Sequence, residues 1–232
     1  MRAYNWAPAI TDTVVEGTEL WRVHRTDSIH PANCFNSTNV APLVDASAID
    51  LREERIPRQG RFDPVHDECV CPGGGSLGGY LYVGLTVGAV VAEGILRSTD
   101  IPPSGILSAA ALSELSLTRM VSSEDVAVAV LDTQVGLVAV NQDASLVACT
   151  WREYRNSRVI CTDILVGTPG AHGVRYSCRN GSEERSLLLV ERECAPVIEI
   201  LETCELGRPG WSRDLVEDSL FDDFGVVLDA PP

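Results

Sequence analysis

No apolar run in the sequence approaches the roughly eighteen residues that a membrane-spanning helix needs. A transmembrane helix is excluded. The chain also lacks an apolar signal-peptide core: Met1-Arg2-Ala3-Tyr4-Asn5-Trp6 leads into polar sequence with Asp12 and Glu16, so a cytoplasmic location is the expectation. Basic residues are scarce, 18 against 33 acidic ones, and the net charge is −15. Such a chain repels a phosphate backbone over most of its surface, which argues against direct nucleic-acid binding. An anionic small ligand would need a local arginine cluster working against that field.

Several catalytic signatures are missing as well. There is no Gly-x-Ser-x-Gly elbow and no His-Glu-x-x-His metal motif. The run Gly73-Gly74-Gly75-Ser76-Leu77-Gly78-Gly79 lacks the Lys-Ser/Thr of a phosphate loop and precedes a strand, so it reads as a flexible insertion. His66-x-x-Cys69-x-Cys71 offers half a zinc site without a second pair at matching spacing, and no metal is expected. The cysteines, at 34, 69, 71, 149, 161, 178, 194 and 204, show no disulfide-framework spacing. Free thiols are expected, several of them behaving as small buried hydrophobes.

What is present reads as one α/β (α+β) domain without internal repeats. Residues 1–18 form a loose lead-in, 19–205 the domain, and 206–232 an acidic, loosely attached tail. Strands are expected at 20–24, 80–85, 126–131, 173–177, 186–191 and 196–203. Helices are expected at 42–55, 107–116 and 150–165, and from 87 to 98 behind a Thr86 cap. Residues 66–79 read as a surface insertion.

Within this frame Glu93 is conspicuous, because burying an ionised carboxylate in an apolar helix is costly. Either it lies on an exposed face and pairs weakly with Arg97 four residues on, or it faces a cleft and acts on a substrate cation. Arg61, in the Gly60-Arg61-Phe62-Asp63-Pro64 loop, either pairs with a neighbour such as Asp63 or projects to grip a phosphate. Tyr82 lies on a strand eleven residues before Glu93, where an aromatic ordinarily serves the core. Ser177, at a strand end, can cap a turn or contact a ligand.

Taken in chain order these pieces resemble the RES family, named for an arginine, a glutamate and a serine. The resemblance runs over residues 19–191. It is carried by Leu20-Trp21-Arg22-Val23-His24, Gly60-Arg61-Phe62-Asp63, Leu81-Tyr82-Val83, Ala89-Val90-Val91-Ala92-Glu93 and Gly173-Val174-Arg175-Tyr176-Ser177-Cys178-Arg179. It implies a single domain similar to ADP-ribosyltransferase toxins, with a mixed central sheet and flanking helices. The implied activity is a toxin's cleavage of the nicotinamide–ribose bond of NAD, by hydrolysis or phosphorolysis. NAD is then a substrate rather than a cofactor, with inorganic phosphate as co-substrate in the second case. By the same resemblance Glu93, Arg61 and Tyr82 are catalytic, Arg22 and Ser177 bind substrate, and a cognate antitoxin is the partner. Transfer of ADP-ribose to a macromolecule, or a non-catalytic interaction protein of the same fold, are the alternatives. The oligomeric state stays open, a homo-oligomer included. Two departures stand out: the segment from Arg61 to Tyr82 is longer than usual, and Cys178 separates Ser177 from Arg179.

Overall fold

Leu187 and Leu189 join one buried apolar cluster while Leu188 and Val190 join another, the period-two alternation of a strand covered on both faces. In the computed structural model, which describes residues 1–37, 60–98, 104–181 and 183–229, that strand lies inside an eight-stranded sheet. In chain order the strands are β1 (Thr11–Val14), β2 (Glu19–Arg25), β3 (Tyr80–Gly84), β4 (Ile106–Leu107), β5 (Leu115–Ser122), β6 (Val126–Val130), β7 (Gly173–Ser177), β8 (Arg185–Val190), β9 (Ile198–Glu205) and β10 (Val227–Leu228). The helices are α1 (Val87–Val90), α2 (Gln134–Ala139), α3 (Tyr154–Val166) and α4 (Trp211–Phe224). The large sheet runs β1-β6-β7-β8-β3-β2-β5-β9, antiparallel except between β6 and β7, and β10 pairs with β4 apart from it. The expected mixed sheet with flanking helices is what the chain forms.

Val14 of β1 and Ile198 of β9 come from opposite ends of the sheet, yet both join Leu81, Val83, Met120 and Leu187 in one cluster. The sheet therefore curls around that cluster. Two others cover its outer face. Phe62, Tyr80 and Leu188 pack with Ile160, Ile164 and Leu165 of α3, whereas Trp21, Val91, Leu96 and Leu117 pack with Val216 and Leu220 of α4. The sheet is weakest between these two clusters. β2 meets β3 at a single register pair, Trp21–Gly84, while the other end of β3 is bridged through Tyr80 to Asn36. A gap opens between those two junctions.

The structure corrects several expectations. Residues 1–18 are not a loose lead-in, because β1 pairs with β6 and Tyr4 and Ala9 are buried. Nor are residues 206–229 a loose tail: α4 buries Val216 and Leu220 completely. In place of a helix over 107–116 the chain forms β4, one 3₁₀ turn (Ala109–Leu112) and the start of β5. The segment 66–79 is tied to the core through Cys71 and Leu77, both fully buried. Thr86 does cap α1, accepting from the Ala89 N–H at 3.0 Å, but the helix then passes into a π turn at Val91–Ile95 and a 3₁₀ turn at Leu96–Ser98. The helix expected over 42–55 lies outside the described residues. Among the described residues no helix is long and apolar enough to cross a membrane.

Candidate active site

The Gly60-Arg61-Phe62-Asp63 turn is built around a buried carboxylate. Asp63 accepts hydrogen bonds from the Gly60 N–H (2.6 Å) and from the hydroxyls of Tyr80 and Tyr82 (both 3.0 Å). The Tyr82 oxygen in turn accepts from the Phe62 N–H at 2.9 Å. Helix α3 clamps the turn from outside: Ser157 Oγ donates to the Arg61 carbonyl (2.7 Å) and Arg158 Nε to that of Asp63 (3.0 Å). Burial pushes the Asp63 pKa up, opposed by the Gly60 hydrogen bond and Arg158. Gly60 is required by contact, since a Cβ there would stand 2.2 Å from Asp63 Oδ1 and 2.6 Å from the Tyr82 hydroxyl oxygen.

This turn aims Arg61 inward rather than at solvent. Its side chain is 2% exposed; Nη1 donates to the Val147 carbonyl, and Nη2 lies 3.3 Å from Glu93 Oε1. The anticipated Arg61–Asp63 pair is not formed, and Arg61 has no free fork with which to grip a phosphate. Burial opposes its charge, but Glu93 and the neighbouring phenols outweigh that and hold its pKa above the ordinary value.

Glu93 comes from the π turn, a geometry recurrent at functional sites. Its Oε1 also accepts from the Arg179 N–H at 3.2 Å, so one carboxylate oxygen is fixed by two donors. Among the described residues Oε2 accepts no hydrogen bond, and the side chain retains 14% exposure. Glu93 thus opens into a cleft of about 160 Å³ located where β2 and β3 part. Its lining includes Tyr82, Tyr176, Val23, Val90 and Gly94, with Arg22, Arg97 and Ser186.

Both tyrosines hold their protons. Burial raises each pKa well above the ordinary phenol value, with Asp63 adding to it at Tyr82 and Glu93 at Tyr176. Arg97 stacks over the Tyr154 ring at 5.3 Å and stays cationic, because Tyr154, Tyr82 and Glu93 outweigh its burial. The Cys178 thiol is pushed up to about 12 by burial and then by Glu93, so it is no thiolate nucleophile.

Four of the expected residues therefore meet at one place: Glu93, Tyr82 and Arg22 in the cleft wall, with Arg61 immediately behind Glu93. Ser177 does not join them. Tyr176 points to the cleft, so alternation along β7 turns Ser177 away, toward a separate cavity beside Asp132, Thr133 and Arg179. Sequence reasoning missed Tyr176 and Ser186 as wall residues and gave Arg97 only a surface pairing. The strand alternation was a signal available for the first of these.

No family model and no curated protein matches the chain. Among solved structures, one chain in the crystal structure of the M. tuberculosis MbcT–MbcA toxin–antitoxin complex is similar. The superposition has a TM-score of 0.53 at 13% identity and covers 88% of this chain and 91% of that one. At this identity the likeness is one of fold.

Proposed function

We propose that this chain is a toxin-type enzyme of the RES kind, which cleaves the nicotinamide–ribose bond of NAD by hydrolysis or phosphorolysis and is restrained by a cognate antitoxin. The observation that carries the reading is Glu93, with one carboxylate oxygen fixed by Arg61 and the Arg179 N–H and the other left open to the cleft. Nicotinamide in NAD is a cation. When the C1′–N bond breaks, its electron pair moves onto the pyridine ring and neutralises it, so no general acid is needed. Positive charge grows on the ribose instead, and a preorganised carboxylate stabilises it while accepting a hydrogen bond from a ribose hydroxyl. Water then adds at C1′ and releases a proton, or an oxygen of inorganic phosphate takes its place. One carboxylate suffices, unlike the pair used by most glycosidases.

The other residues fall into supporting roles. Arg61 orients Glu93, Tyr82 and Tyr176 give the nicotinamide and ribose apolar walls with protonated hydroxyls, and Arg22 supplies the positive charge a diphosphate needs in so acidic a chain. A chain from a toxin–antitoxin complex shares the fold, which supports the toxin role and the antitoxin partner. The test is release of free nicotinamide from NAD, with and without inorganic phosphate, by folded protein free of any inhibitor. Release is expected, and the phosphate dependence identifies the acceptor. No release under either condition would falsify the proposal.

A further inference from the structure

Three hydroxyl-bearing side chains line the Glu93 cleft, those of Tyr82, Tyr176 and Ser186, and two of them are already engaged. The Tyr82 hydroxyl donates to Asp63 Oδ1 and accepts from the Phe62 N–H, so its proton and a lone pair serve the Gly60 turn. Ser186 Oγ is held by Cys178 Sγ at 3.2 Å. Tyr176 differs. Among the described residues its hydroxyl neither donates nor accepts, although the residue is only 1% exposed. A buried phenol ordinarily finds a partner, and one left without costs free energy until water or a ligand supplies it.

The ring beneath that hydroxyl is firmly held. Phe62 meets it edge-on with centroids 4.9 Å apart, and the Arg61 guanidinium lies 5.7 Å from its centroid. The same guanidinium pairs with Glu93 at 3.3 Å, so one buried arginine fixes the carboxylate and the Tyr176 ring together. A nicotinamide ring in this cleft leaves its carboxamide oxygen, a strong neutral acceptor, in need of a donor. Arg97 is committed to Tyr154, over whose ring it stacks, and a carboxylate at Glu93 only accepts. We infer that Tyr176 is the specificity-determining residue of the site, its hydroxyl donating to the carboxamide oxygen while Tyr82 contributes only its ring face. This rests on NAD as the substrate and adds which group reads its leaving half. It departs from the family resemblance, because the tyrosine of the Leu81-Tyr82-Val83 motif has no hydroxyl proton to spare.

The experiment measures kcat/KM of the unaltered protein and of Tyr176→Phe on NAD and on the analogue whose carboxamide is replaced by hydrogen. Tyr176→Phe deletes one oxygen, keeps the ring and deprives no described group of a partner, so the melting temperature should not fall. The loss on NAD should be about tenfold, whereas on the analogue, which has no oxygen to read, the two proteins should be equal. Tyr82→Phe should instead cost both substrates the same factor and lower the melting temperature, because Asp63 and the Phe62 N–H lose a partner. An NMR titration with free nicotinamide, which needs no turnover, should show binding about tenfold weaker in Tyr176→Phe. Equal losses on the two substrates, or no loss on NAD, overturn the inference and leave NAD cleavage standing. If the unaltered protein releases no nicotinamide, binding weakened in Tyr176→Phe keeps the assignment and removes the reaction, whereas binding absent or unchanged removes both.

Discussion

Arg61 Nη2 lies 3.3 Å from Glu93 Oε1, joining an arginine on the Gly60 turn to a carboxylate on the π turn across 32 residues of chain. The pair is asymmetric, because the arginine is 2% exposed and the glutamate 14%. A buried guanidinium that loses its counter-charge is far more costly than an exposed one, so Glu93 serves the fold as well as the cleft.

That dual role separates two substitutions. Glu93→Gln keeps an oxygen that can accept from Arg61 and the Arg179 N–H but removes the negative charge. Nicotinamide release should fall by about a hundredfold or more, on the order of 3 kcal/mol of transition-state stabilisation, and the melting temperature should drop because Arg61 loses its counter-charge, though less than in Glu93→Ala since the hydrogen bonds are kept. Glu93→Ala should abolish activity and also cost roughly 3 kcal/mol of stability, because Arg61 is left unpaired. A glutamine variant as active as the unaltered protein would remove the electrostatic role.

Asp63 gives a pH-dependent test. Burial raises its pKa above the ordinary 3.8, so the folded state holds this proton at pH values where the unfolded chain has released it. Its contribution to stability is fully present in acid and declines as pH rises from near 3.8 through the raised value. The difference in unfolding free energy between the unaltered protein and Asp63→Asn should therefore be most favourable to Asp63 in acid and shrink toward neutrality. Urea titrations across that range measure it, and a difference that grows with pH would contradict the assignment.

Gly60→Ala probes the same turn sterically. The added carbon would meet Asp63 Oδ1 and the Tyr82 hydroxyl at distances no packed pair tolerates, so both must shift. A loss of about 1–3 kcal/mol is expected, together with reduced activity as Arg61 loses its aim at Glu93. An alanine variant with unchanged melting and activity would show that the turn has room to relax.

Much of the site was legible because its signals are local. A lone glutamate in an apolar stretch, a threonine ahead of it, and a short aromatic and apolar strand containing Tyr82 can each be read within a few residues. The Arg61–Glu93 pair was not, since it joins two elements that only the tertiary fold brings together. Arg61 consequently reads from the sequence as a partner for a neighbour such as Asp63 or as a phosphate clamp, whereas in the structure its guanidinium pairs with Glu93. Ser177 lies apart from the cleft for a different reason. A motif match treats neighbouring residues as equally available, whereas a strand offers one face to Tyr176 and the other to Ser177. Helix α4 was hidden by composition: Asp214, Glu217, Asp218, Asp222 and Asp223 surround the apolar positions and make the segment read as a solvated tail.

The buried positions of α4 make the last prediction. Val216 and Leu220 are fully buried in the cluster that also holds Val90, Val91, Ile95 and Leu96, the stretch that carries Glu93. Leu220→Ala should cost about 3 kcal/mol through lost burial and the cavity left behind, seen as a lower urea midpoint with an unchanged slope. Because that cavity opens beneath the π turn, nicotinamide release should fall as well, even though Leu220 does not line the cleft. Deleting the chain from Trp211 onward removes the whole covering and should prevent a cooperative unfolding transition. If the truncated protein unfolds at the same urea concentration as the full chain, α4 does not support the Glu93 segment, and the position of that carboxylate must be set by β2 and β3 alone.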